Sequence, residues 1–217
     1  ATAGGKAAGD YRSTKVQDQQ QPWKSLTAIS KTQVLAITGD NQFVRVEFRA
    51  SPRPQLSEVS VTTMSHPVEL APAVSGEFMY VGTADGKLLV MQTSSLEVVS
   101  EIELGGIPSA TPKVSDGLLI VEVAGQEAKI FRGQQSLEQS GTIPLEGHGL
   151  IGSPLKTASG YLQARIDGRV FSLDSSGVPA DSQISVGQQL QSGPIAMNNS
   201  VIVVGLDGSL YSINATR

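Results

Sequence analysis

The sequence predicts an all-β chain, a β-propeller of five four-stranded blades in which the N-terminal segment closes the last blade. Three observations predict it. One hairpin recurs every 40 to 45 residues, and a proline precedes four of the five copies at a fixed distance. No segment of ten or more residues carries an apolar period of about 3.6.

The clearest hairpin is "MYVGTADGKLLVM", Met79 to Met91, two apolar strands around Asp85 and Gly86. "YLQARIDGRVFSL" turns at Asp167 and Gly168, and "VIVVGLDGSLYSI" at Asp207 and Gly208. Two degenerate copies turn at Asp40-Asn41 and Gly125-Gln126, so the turns fall at 40, 85, 125, 167 and 207. Asp-Gly suits a two-residue type I′ loop, because both central positions need positive φ. Asp-Asn is compatible, and Gly-Gln fits a II′ turn.

Pro72, Pro112, Pro154 and Pro194 each lie 13 residues before their turn, and Thr27 holds that place in the first copy. The neighbours of these prolines are small: Ala71 and Ala73, Thr111, Gly152 and Ser153, Ser192 and Gly193. Small residues allow first strands to crowd at the narrow end of a wedge. Each unit contains strand-like pieces rich in Val, Ile, Leu and Tyr, in the second unit "ELAPAVS", "FMYVGTA", "KLLVMQT" and "VVSEIEL". Four-stranded units of about 40 residues predict propeller blades, each burying its faces on its neighbours.

The repeats run at about 25–66, 67–107, 108–149, 150–189 and 190–217, after a flexible N-terminal segment, 1–24. The last repeat stops after its third strand. "YRSTKVQ", Tyr11 to Gln17, is expected to supply the fourth and close the ring; the alternative is an arc cut from a larger propeller. Trp23 is expected to pack on the blade it precedes.

Composition narrows the function. A formal charge of −4 argues against a nucleic-acid partner. Without cysteine there is no disulfide framework and no thiolate chemistry. No apolar run reaches the ~18 residues of a transmembrane segment. The chain begins at Ala1 without a signal-type apolar region, which reads as a mature or excised chain.

The unit resembles the quinoprotein-type, or PQQ-like, propeller repeat: a small residue and Pro72 on the inner strand, then Tyr80-Val81-Gly82-Thr83, Asp85-Gly86 and Leu88. Val204-Gly205, Asp207-Gly208, Leu210-Tyr211 and Ile213 match in the fifth unit, as do Asp167-Gly168 and Phe171-Ser172-Leu173-Asp174 in the fourth. That family includes quinone-dependent dehydrogenases, bacterial outer-membrane-assembly lipoproteins and non-catalytic scaffolds. The resemblance to the dehydrogenases implies about eight blades, several tryptophans, a Cys pair in many members and Ca²⁺ ligands. This chain has one Trp, no Cys and five units, so no PQQ, metal or other cofactor is expected. The resemblance implies the non-catalytic branch, akin to the outer-membrane-assembly propellers.

Catalytic patterns were sought in the same residues. "GHGLIG", Gly147 to Gly152, satisfies GxGxxG, but it joins strands with no helix to offer its N-terminus to phosphate. Ser153 and Lys156 form an isolated SxxK. His66 and His148 each lie 19 residues before a turn, the place held by Gln21, Gly106 and Gln188 in the other repeats. Two imidazoles fall short of a zinc site. Glu69 is expected to begin an inner strand facing the channel, but its counterparts are Lys24, Ser109, Ile151 and Gln191, so a two-carboxylate hydrolase lacks its partner. His66, Glu69, His148, Gln188 and Gln191 are therefore the candidate rim and channel-mouth binding residues. Asp85, Gly86, Asp167, Gly168, Asp207 and Gly208 are structural turns.

The expectation is a non-enzymatic platform that binds a protein or peptide by its rim loops or a strand edge, as a domain of a larger bacterial protein, periplasmic, envelope-associated or secreted. The alternative is a propeller that binds a small ligand or carbohydrate at the channel mouth.

Overall fold

A computed structural model describes residues 22–198 and 200–214. Blade 1 comprises β1 (Trp23–Ala28), β2 (Gln33–Thr38), β3 (Gln42–Arg49) and β4 (Gln55–Thr63). Blade 2 comprises β5 (Ala73–Ser75), β6 (Phe78–Gly82), β7 (Lys87–Gln92) and β8 (Val98–Glu103). Blade 3 follows with β9 (Lys113–Ser115), β10 (Leu118–Val123), β11 (Glu127–Arg132) and β12 (Glu138–Pro144). Blade 4 has β13 (Leu150–Lys156), β14 (Gly160–Arg165), β15 (Arg169–Asp174) and β16 (Pro179–Ser185). Blade 5 has three strands, β17 (Leu190–Met197), β18 (Ser200–Gly205) and β19 (Leu210–Asn214). Every sheet is an antiparallel meander, and the chain is an all-β propeller of five blades.

The first strands approach one another in sequence, β1 to β5, β5 to β9, β9 to β13 and β13 to β17. They form the inner layer. Among the described residues β17 and β1 have no comparable packing, so blades 1 and 5 are the two ends of the row. The segment "YRSTKVQ", expected to close the ring, lies outside the described residues.

The core lies between blades. Leu35, Ile37 and Phe43 of blade 1 meet Met79, Val81, Leu89 and Met91 of blade 2. Tyr80, Leu88 and Val90 point the other way, onto Leu119, Val121 and Phe131 of blade 3. This two-sided burial explains why "FMYVG" is a continuous apolar run rather than an alternating one. Leu118, Ile130 and Ile143 pack on Tyr161 and Leu173, and Leu162 and Val170 on Val201 and Val203.

The prolines divide into two groups. Pro72 and Pro112 stand just before β5 and β9, which keep only three paired residues each. Pro154 and Pro194 lie inside β13 and β17, where the register with the next strand is interrupted. Proline cannot donate to the ladder, so it sits at a strand start or an irregularity. The inner strands do crowd there: a Cβ on Gly152 would lie 2.7 Å from Gly193 Cα.

The hairpin turns differ from the expected type. Gly86, Gly168 and Gly208 have φ of +89°, +96° and +85°, but Asp85, Asp167 and Asp207 do not have positive φ. Gly86 N–H donates to Thr83 O at 3.1 Å, so Ala84 and Asp85 are the centre of a type I turn and Gly86 takes the left-handed place after it. Gly168 and Gly208 bond likewise to Arg165 O and Gly205 O. The third hairpin carries the I′ geometry instead. Ala124 and Gly125 both have positive φ, 52° and 67°, inside the Gln126-to-Val123 bond, rather than Gly125-Gln126 forming II′.

Candidate functional site

The turns and the loops entering each inner strand share one rim. His66 sits on the loop before β5. Its Nδ1 is 2.7 Å from Asp85 Oδ2 and its Nε2 is 3.8 Å from Glu101 Oε1. Lys87 extends the cluster to Glu101 (3.3 Å) and Glu103 (3.6 Å). Hydrogen bonds from Thr83, and then from His66, hold the Asp85 carboxyl below its ordinary pKa.

Blade 5 repeats this contact with a different residue. Gln188 Nε2 donates to Asp207 Oδ1 at 3.0 Å and to the Tyr211 hydroxyl. Backbone and hydroxyl donation from Ser209 lowers the Asp207 pKa. His66 and Gln188 thus both tie an inner-strand loop to the turn 19 residues later.

His148, at the same register in blade 4, does not. Its side chain is exposed and makes none of the side-chain bonds found among the described residues. Arg165 takes its place. This guanidinium is fully buried, the largest side chain to be so. Nε donates to Asp167 Oδ1 (2.9 Å), and Nη2 to Asp167 Oδ2 (2.7 Å) and Glu146 Oε2 (2.9 Å). Nη1 donates to Pro144 O at 2.6 Å, and the plane lies 5.3 Å from the Phe171 ring centroid. Arg169 joins the same carboxylates from outside. Asp167 is held below its ordinary pKa chiefly by the Arg165 hydrogen bond, and Glu146 by the same guanidinium. The sequence reading missed Arg165. The available signal was that the other repeats place Thr38, Thr83, Val123 or Gly205 two residues before the turn.

The channel-mouth register is partly assembled. Glu69 precedes β5 rather than beginning an inner strand, because pairing in that blade starts only at Ala73. It bonds Lys24 Nζ at 2.8 Å, so two residues of the same register on adjacent blades meet. Gln191 is exposed on β17 and takes no part in the Lys24–Glu69 ion pair. The five candidate residues therefore do not converge: His66 and Gln188 brace separate blades, Glu69 pairs with Lys24, and His148 and Gln191 face solvent. Ser153 and Lys156 share β13, but Lys156 Nζ covers the Tyr161 ring at 4.2 Å. Among the described residues no group of three or more His, Asp or Glu could hold a metal ion, and no helix is long and apolar enough to cross a membrane.

The largest unsatisfied chemistry is apolar. On the face of blade 5 turned away from blade 4, Ile195 is 55% exposed, Met197 62% and Leu210 71%, with Leu206 beside them at 61%. Cross-strand pairing places Ile202 and Val204 on the same face. Blade 1 ends the row with Leu26 at 70% exposed, and with Phe48 and Leu56 half exposed; Trp23, expected to pack on this blade, is itself 43% exposed.

Solved structures share this arrangement. BamB from Moraxella catarrhalis superposes with a TM-score of 0.61 at 15% identity, over 88% of this chain and 58% of that one. The β-propeller domain of Cps50 (Swd1) from Myceliophteria thermophila gives 0.62 at 12%, over 91% and 71%. The computationally designed Ika4 protein gives 0.54 at 13%, over 71% and 95%. The chain thus spans 58% of the length of BamB. These likenesses establish the propeller fold. No family model and no curated protein sequence matches the chain.

Proposed function

We propose that this chain is a non-enzymatic propeller platform that binds a protein partner through the end of blade 5. The apolar face formed by Ile195, Met197 and Leu210 carries this reading, since a soluble chain that leaves such side chains more than half exposed has a surface suited to association. The rim supports it from the other side: its carboxylates are tied up by neighbouring side chains, in His66–Asp85, Gln188–Asp207 and Arg165–Asp167. The quinoprotein-type repeat resemblance and the fold likeness to BamB favour a non-catalytic role in a bacterial periplasm or envelope, within a larger protein.

Affinity capture from an extract of the source organism tests the reading. The 217-residue chain is compared with an Ile195→Asp/Met197→Asp variant of equal thermal stability. A partner held by the first and lost from the second is expected. Capture that ignores the substitutions, or no capture at all, would overturn it.

A further inference from the structure

The outer parts of neighbouring blades do not all meet in the same way. Between blades 3 and 4, β12 lies directly against the loop from β15 into β16: a Cβ on Gly141 would come within 2.9 Å of Pro179 Cδ and 3.2 Å of Gly177 O. Between blades 1 and 2, the end of β4 and the loop from β7 into β8 leave a groove of about 470 Å³, within the ~300–1,000 Å³ of small-ligand clefts. Described residues alone line it. Thr62, Thr63 and Ser65 bring hydroxyls from the blade 1 side and Ser95 from the blade 2 side. Met64, Leu96 and Val98 give it apolar surface, and Glu97 is the one charged residue in its lining.

The loop that carries Glu97 is held firmly. Leu96 has φ of +63°, an uncommon place for a bulky residue, where the matching loop of blade 4 has Gly177. Its side chain is buried in the same apolar cluster as Phe43 and Met64, so it bridges the two blades. Gln92 N–H donates to Glu97 O at 3.0 Å, Glu97 N–H to Ser95 Oγ, and Arg45 Nη1 to Thr93 O at 3.0 Å. The Glu97 main chain is thus engaged. Among the described residues its carboxylate has no partner, whereas Asp85, Glu101 and Glu103 of the same blade are paired.

We propose that this groove binds an extended segment of another protein, one that carries a lysine or arginine and a large apolar residue two positions away. Residues two apart share a face of an extended chain. Glu97 takes the cation, Met64, Leu96 and Val98 take its methylene stem and the apolar neighbour, and the hydroxyls bond the segment's main chain. No aromatic ring lines the groove for a sugar to stack on. The chain's own basic residues outside the described ones, Lys6, Arg12, Lys15 and Arg217, have no large apolar residue two positions away. The groove is separate from the end of blade 5, and the proposal does not depend on that surface.

The probe is the capped peptide Ser-Lys-Ser-Leu-Ser, titrated into the isotope-labelled whole chain and followed by amide chemical shifts. Shifts confined to residues 62–65 and 95–99 are expected. The same peptide with Glu for Lys should not bind. Glu97→Gln, at an exposed and unpaired side chain, should weaken the Lys peptide about fivefold, the share of one exposed ion pair. Glu97→Lys should reverse the preference between the two peptides. No shifts, shifts elsewhere, or equal binding of both peptides would overturn the proposal. Butylamine binding as tightly as the peptide would show that only an amine is read, and would overturn it too. So would binding that appears only when Lys6, Arg12 and Lys15 are all changed to Gln, because the groove would then be filled from within the chain.

Discussion

Replacing Arg165 with methionine should destabilise blade 4 more than any other rim substitution. The guanidinium is fully buried and makes hydrogen bonds to Asp167, Glu146 and Pro144 O. Methionine fills much of the volume but leaves the carbonyl without its donor and Asp167, whose side chain is only 16% exposed, with Arg169 alone. Breaking a fully buried pair costs about 3–5 kcal/mol. Glu146 is 54% exposed and water recovers its share, so the expected loss is about 2–3 kcal/mol. For a chain of this length that lowers Tm by about 5–10 °C. Calorimetry on Arg165→Met, Asp167→Asn and the double variant isolates the pair, with an expected coupling of about 1–2 kcal/mol. The pH dependence adds a second readout. The folded-state pKa of Asp167 lies below its unfolded value, so its stabilisation is complete above the ordinary carboxylate range and is lost as pH falls through the lowered value. Arg165→Met should flatten that acid-side loss. A coupling below about 0.3 kcal/mol with an unchanged acid limb would refute the reasoning.

Other outcomes follow from the same rim. His66→Ala should lower Tm, whereas His66→Gln should restore most of it, because Gln188 makes the equivalent bond to Asp207; Gln as damaging as Ala would show that the two contacts are not equivalent. Gly168→Ala should cost about 1–3 kcal/mol in a denaturant titration, since φ is +96° and a Cβ would meet Gln188 O. Lys24→Ala should change stability by less than about 0.5 kcal/mol, as the Glu69 side chain is 63% exposed. Asp85, Glu146 and Asp207 are also held below their ordinary pKa values, so the thermal midpoint of the wild-type chain should fall as pH drops below the carboxylate range; a flat profile there would contradict these assignments.

The blades were legible because one register governs both strands and turns. Asp85, Asp167 and Asp207 marked hairpins, and the apolar runs beside them required cover on both faces. Turn type was not legible from the dipeptide. Asp207 Oδ1 accepts the Ser209 N–H, and the Gly205 N–H donates to Ser209 O as the Thr83 N–H does to Lys87 O, which closes a three-residue loop rather than I′. His66 and His148 looked equivalent because position alone was compared; Arg165 occupies Asp167, and His148 is left outside. The three described strands of blade 5 could be read from the hairpin at Asp207 and the proline before it. Its exposed apolar face could not, because Ile195 and Leu210 have the composition of buried residues, and among the described residues no blade covers that face.

Site-specific photocrosslinking tests the central claim most directly. A photoreactive side chain is placed at Leu210 on the free end of blade 5, and in a second protein at His148 on the rim, both in the source organism. The account predicts a discrete adduct from position 210, whose crosslinked peptide belongs to another polypeptide, and none from position 148. An adduct from 148 alone, or a crosslink from 210 that stays within the same chain, would contradict it.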